Sequence, residues 1–143
     1  MKATFLVSLI AVFAAMTLAV VSASSGDLDV TVDWVEIKGV PLIGGIDATI
    51  AGFSGETVPL KIVFTSDVDV KDAEVKAWIR GISATTRKIH LVNRSTYSEL
   101  LSLKLPSDID PTEEYTLFVR VETNTDFKEE EFNLKIQRES YTV

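Results

Sequence analysis

Thr57-Val58-Pro59-Leu60-Lys61-Ile62-Val63-Phe64-Thr65 decides the fold. Val58, Leu60, Ile62 and Phe64 fall on one parity, and Pro59, Lys61 and Val63 on the other. Successive side chains of a strand point to opposite faces, so this period of two predicts a strand with one buried face. Proline cannot donate to a β-ladder, so Pro59 fits only a strand beginning or an edge.

The same period recurs on either side. Residues 73–80 carry Val75, Ala77 and Ile79 against Glu74, Lys76, Trp78 and Arg80, and Gly81 ends the run. Residues 97–105 place Leu101, Leu103 and Leu105 together before Pro106. Residues 115–123 alternate as Tyr115, Leu117, Val119 and Val121, and residues 130–138 as Phe132, Leu134 and Ile136. A weaker run at 86–92 offers Ile89 and Leu91. In 29–38 the phase slips near Trp34, from Val30 and Val32 to Val35 and Ile37, which predicts a β-bulge. The glycine-rich stretch 39–55 reads as a loop with a short edge strand around Ile46, Ala48, Ile50 and Phe53.

These runs predict an all-β chain of about seven strands, with sheets wet on one face and apolar on the other. Two such faces must bury each other. The count is that of an immunoglobulin-like antiparallel sandwich, without the Cys–Trp–Cys signature of true immunoglobulin domains. Asp110, five residues ahead of Tyr115, lies where a tyrosine corner would precede the penultimate strand.

The N-terminus carries a different message. Met1-Lys2 precedes an apolar run over 5–21, followed by Val21-Ser22-Ala23. A short positive start, an apolar middle and a small-x-small exit predict a hydrophobic helix acting as a secretory signal peptide over 1–23, with the sandwich domain over 24–143. The run also borders on the length needed to span a bilayer. Cleavage after Ala23 would release the domain, and retention would tether it. Membrane contact is expected only if this helix is kept, and the chain is expected to be secreted or on the cell surface.

Residues 1–23 hold one of the 14 Lys+Arg (Lys2) and none of the 21 Asp+Glu, so the remaining 120 residues carry a net charge of −8. Nucleic-acid phosphates demand a basic patch, which excludes nucleic acid as a partner class. The chain has no cysteine, which removes thiol catalysis, thiolate metal sites and disulfide staples. A disulfide-free exported β domain points to a prokaryotic cell surface.

Catalytic signals are missing. His90 is the one histidine and falls in a strand pattern, with no Gly-x-Ser-x-Gly elbow to supply a nucleophile. There is no phosphate loop, dinucleotide fingerprint or His-x-x-x-His spacing. The chain is therefore read as non-enzymatic and without a required cofactor. Asp67, Asp69 and Asp72 form an acidic turn that is the best candidate for calcium, which takes six to eight oxygen ligands. Asn93-Arg94-Ser95 is an N-glycosylation sequon at a turn between strands. Trp34, Trp78 and Phe118 are candidate binding aromatics. Trp78 and Phe118 lie on the wet parity of their strands, where they suit a carbohydrate or a protein surface.

Two stretches carry a family resemblance. One is Gly52-Phe53-Ser54-Gly55-Glu56-Thr57-Val58-Pro59-Leu60 leading into Lys61-Ile62-Val63-Phe64. The other runs from Tyr97-Ser98-Glu99-Leu100-Leu101 to Asp110-Pro111 and on into Thr112-Glu113-Glu114-Tyr115. With Gln137-Arg138-Glu139-Ser140-Tyr141, they resemble the first immunoglobulin-like domain of secreted, surface-layer-like proteins of archaea. The resemblance implies a structural envelope module whose partners are other envelope proteins or further sandwich domains. Tyr141 and Val143 resume the alternation past the last strand, which suits either a following sandwich or an extended final strand.

Overall fold

In a computed structural model, the structure describes residues 28–138. The hydrophobic segment 1–23 and the alternation at Tyr141 and Val143 lie outside the described residues. Ten strands and no helix make up the described chain: β1 (Val30–Ile37), β2 (Val40–Leu42), β3 (Ala48–Gly52), β4 (Thr57–Ser66), β5 (Val70–Ile79), β6 (Ile82–Thr85), β7 (Ile89–Leu91), β8 (Ser95–Lys104), β9 (Glu114–Glu122) and β10 (Phe127–Arg138). They form two sheets. The first has the order β2-β1-β4-β8, and the second β3-β10-β9-β5-β6 with β7 also paired to β5. Every pairing is antiparallel except that of β3 with β10, which is parallel.

The sequence parities are the structural faces. Leu60, Ile62, Phe64, Leu101 and Leu103 of the first sheet are buried, as are Val75, Ala77, Ile79, Leu117, Val119, Val121, Leu134 and Ile136 of the second. They form one continuous core between the sheets. Pro59 is the third residue of β4, near the strand start as expected although β4 is a central strand, and the β1 ladder ends one residue short of it at Leu60. The Pro59 carbonyl accepts the Lys38 N–H at 2.9 Å, just past the end of β1. The N–H and C=O of one residue in an antiparallel ladder point the same way. The donor that Pro59 lacks thus faces the place where β1 has already turned away.

The expected bulge falls in β1. Val32 pairs with Phe64 and Trp34 with Val63, so Asp33 is the extra residue. This shift brings Val30, Val35 and Ile37 into the core on both sides of the slip. It also leaves two consecutive side chains, Asp33 and Trp34, turned to solvent.

Two strands exceed the sequence expectation. β2 and β6 are short hairpin arms that follow Lys38-Gly39 and Arg80-Gly81, where all four residues have positive φ. A two-residue turn with positive φ at both positions matches the twist of flanking strands. At the far edge of the first sheet, β8 exposes Leu100, while Glu99 shares the inward parity of Tyr97 and Leu101 opposite Ile62. An inward-pointing charge on an edge strand discourages edge-to-edge pairing.

Gly52 marks a close approach of the two sheets' margins. A Cβ built there would lie 2.5 Å from Cδ1 of the buried Leu105. Gly52→Ala is expected to cost about 1–3 kcal/mol through overpacking. Chemical denaturation of G52A should show a lowered midpoint, with part of the loss restored when Leu105→Val is added; an unchanged midpoint refutes the contact.

The turn after β1 is tied to the start of β4. Lys38 Nζ lies 3.0 Å from Glu56 Oε2 and donates to the Ala51 carbonyl at 2.8 Å, and Glu56 Oε1 accepts the Phe53 N–H at 3.2 Å. The Lys38 hydrogen bond holds the Glu56 carboxyl below its ordinary value. A carboxyl depressed in the folded state stabilises above its unfolded value and loses that contribution as pH falls through the folded one. For a pair this open the contribution is below about 1 kcal/mol. Glu56→Gln should therefore flatten the acid limb of a Tm-against-pH curve below the ordinary glutamate range, whereas curves that stay parallel to the wild type would reject the tie.

Candidate functional site

Trp78 and Phe118 face each other across β5 and β9 on the outer surface of the second sheet. Their rings stack with centroids 5.2 Å apart and planes 10° apart. Arg120 lies over Trp78 at 5.4 Å and over Phe127 at 4.3 Å. It is fixed there by Nε and Nη2 hydrogen bonds to Glu129 Oε1 at 3.0 and 2.8 Å. Next to it Lys76 pairs with Glu122, and that hydrogen bond raises the Lys76 pKa. This face is a self-satisfied ladder of stacked rings and ion pairs. Sugar stacking uses an open ring face, and here Trp78 and Phe118 are packed against each other, with a guanidinium over Trp78.

The acidic turn does not gather. Asp67 donates its N–H to the Asp29 carbonyl, Asp69 Oδ1 accepts the Asn93 N–H at 2.9 Å, and Asp72 lies within β5 at φ +60°. Among the described residues, no three His, Cys, Asp or Glu side chains meet where they could hold a metal ion. Asp72 lines a polar hollow of about 250 Å³ with Glu74 and Glu122, but Lys76 and Lys88 line it too and supply its cations.

Asn93 is exposed in the turn between β7 and β8, open to modification. His90 is exposed in β7, and its side chain makes no hydrogen bond among the described residues. The backbone around it is organised by Tyr97, whose hydroxyl donates to the His90 carbonyl at 3.2 Å and accepts the Val92 N–H at 2.7 Å.

The more open feature lies on the opposite flank. Trp34 is 45% exposed, and its indole N–H donates to Glu36 Oε1 at 2.8 Å. It borders a cleft of about 190 Å³ lined also by Val32, Asp33, Leu42, Gly44, Glu130 and Phe132. The exposed Ile43 and Ile46 lie in the loop that follows β2. Three elements build this cleft. The bulge turns out Asp33 and Trp34, the end of β2 supplies Leu42, and β10 supplies Glu130 and Phe132.

The strand pairing explains why this flank is open. Leu28 donates to the Phe127 carbonyl at the start of β10, and β3 pairs with β10 only from Leu134 onward. Among the described residues the β10 edge between those contacts has no strand partner, and β2 covers β1 only from Val35. The sequence marked Trp34 as a binding aromatic, but its Glu130 and Phe132 neighbours come from a strand nearly a hundred residues away. No family model matches the chain, and no curated protein matches it.

Proposed function

We propose that the chain is an exported, non-enzymatic immunoglobulin-like module of the cell envelope that acts by binding neighbouring proteins. The observation that carries the reading is the strand order. The set β1-β4-β8 against β10-β9-β5-β6, with β3 joining β10 in parallel, supports the immunoglobulin-type reading, whose two sheets are joined by Greek-key crossings. The Tyr115 hydroxyl accepts the Asp110 N–H at 2.8 Å and donates to the Asp108 carbonyl at 3.5 Å, the geometry of a tyrosine corner. The signal-type sequence over 1–23 supports export, and the resemblance to the first domain of archaeal surface-layer-like proteins supports an envelope role. The exposed Trp34, Ile43 and Ile46 support an interaction surface, since such apolar exposure marks binding patches.

Cell fractionation with intact-mass spectrometry of the native protein tests this. The chain is expected in the envelope or medium, beginning at Ser24 if the leader is removed or at Met1 if it is kept as an anchor. A chain confined to the cytosol overturns the reading. The same mass reports whether Asn93 carries a glycan.

A further inference from the structure

The cleft at the β1 bulge has an asymmetric lining. Two carboxylates, Asp33 and Glu130, and two aromatic residues, Trp34 and Phe132, line it, and among the described residues no lysine, arginine or histidine does. This contrasts with the hollow beside Asp72, where Lys76 and Lys88 answer the acids. It contrasts also with the Trp78 face, where Arg120 already occupies the ring.

The carboxylates are not spent internally. Asp33 Oδ2 accepts one hydrogen bond, from Thr65 Oγ1 at 2.6 Å, and Oδ1 accepts none among the described residues. The Glu130 carboxylate makes no hydrogen bond or ion pair among the described residues. Glu36 holds the Trp34 indole by its N–H, which fixes the ring without covering its faces. A cation placed over an indole is attracted by the negative ring face, and adjacent carboxylates add charge-assisted hydrogen bonds.

We propose that this cleft receives one arginine side chain from a partner protein. The guanidinium would stack on Trp34 and donate to Asp33 and Glu130. Its planar, weakly hydrated fork suits a site that offers a ring face and two carboxylates better than a strongly hydrated ammonium does. The chain already makes this arrangement internally, where Arg120 lies over Trp78 and Phe127 and bonds Glu129. A cationic partner also matches the acidic chain, whose like-charged copies would repel at this flank.

The inference rests on the interaction-module reading, and the two fail separately. A cytosolic location would overturn the envelope role and leave the pocket standing, while an inert pocket would leave export untouched.

The test is a titration of the 15N-labelled full chain, held in a non-ionic detergent, with N-acetyl-arginine-methylamide. The Trp34 indole N–H resonance, assigned with Trp34→Phe, is the readout for the wild type and Glu130→Gln, and the backbone amides of Asp33 and Glu130 are the readout for Trp34→Ala. Saturable shifts are expected with the arginine compound, weaker ones with the lysine analogue, and none with the neutral citrulline isostere. Trp34→Ala and Glu130→Gln should each weaken binding about tenfold or more. Trp34 is exposed and Glu130 is half-buried on the parity of Phe132, and a Tm kept near the wild-type value is the check that the variants fold. An equal response to citrulline, or binding that survives both substitutions, overturns the proposal. Choline binding more tightly than the arginine compound also overturns it, in favour of a free quaternary ammonium ligand.

Discussion

Phe64→Ala is expected to remove about 3–5 kcal/mol of stability, the cost of truncating a fully buried aromatic. Phe64 is completely enclosed in β4 and stacks on Tyr97 of β8, with centroids 5.4 Å apart and planes 21° apart. The loss spreads beyond the cavity, because Tyr97 also ties the backbone of the turn after β7 through His90 and Val92. Small domains hold about 5–15 kcal/mol in all, and a chain without cysteine has no disulfide to hold the sheets together once their packing fails. Urea unfolding of F64A should therefore give a much lower midpoint, while Phe64→Leu, which keeps most of the volume, should lose less than about 1.5 kcal/mol. A loss under 1 kcal/mol for the alanine variant, on the order of a surface substitution, would show that β4 is not the centre of the core.

The core was legible because each long strand has one wet face. Val58, Leu60, Ile62 and Phe64 are separated by residues that meet solvent or the sheet margin, so period two survives in the sequence. The slip at Trp34 was legible for the same reason, since a bulge is the one local device that moves Val35 and Ile37 onto the face of Val30. β2 and β6 were not, because Lys38-Gly39 and Arg80-Gly81 look like strand terminators. Asparagine or aspartate before the glycine would have signalled the tight hairpins, whereas here lysine and arginine adopt the positive φ.

The candidate site was legible in only one of its parts. An exposed aromatic at a bulge is visible in the sequence, but the pairing that brings Glu130 and Phe132 beside Trp34 is not. Nor could parity alone separate Trp78 from Trp34. Both lie on a wet face, yet one is packed under Arg120 and beside Phe118, and the other is open. The difference arises from neighbouring strands, since Phe118 and Arg120 stand across from β5 while the bulge leaves Trp34 beside an edge that has no strand partner among the described residues.

Tyr115→Ala should match the Phe64 loss, and Tyr115→Phe should isolate what the hydroxyl contributes. The ring is buried at the start of β9, with the Arg80 guanidinium 4.6 Å from its centroid. Its hydroxyl accepts the Asp110 N–H and reaches the Asp108 carbonyl, fixing the crossing that carries the chain from the first sheet to the second. The corner is held from the other side as well: Asp110 Oδ1 accepts from the Thr112 N–H and hydroxyl, bonds that lower the Asp110 pKa. Removing the hydroxyl leaves the part-buried Asp110 N–H without its acceptor, a loss of about 1–3 kcal/mol. Truncation to alanine adds the empty volume of the ring, for a total of about 3–5 kcal/mol. Equilibrium unfolding of both variants separates the two contributions. If Y115F unfolds at the wild-type midpoint, the hydroxyl is incidental and the crossing is set by packing of the ring alone. If Y115F loses stability and its amide exchange quickens at Asp110 ahead of the β9 core, the hydroxyl is what anchors the crossing.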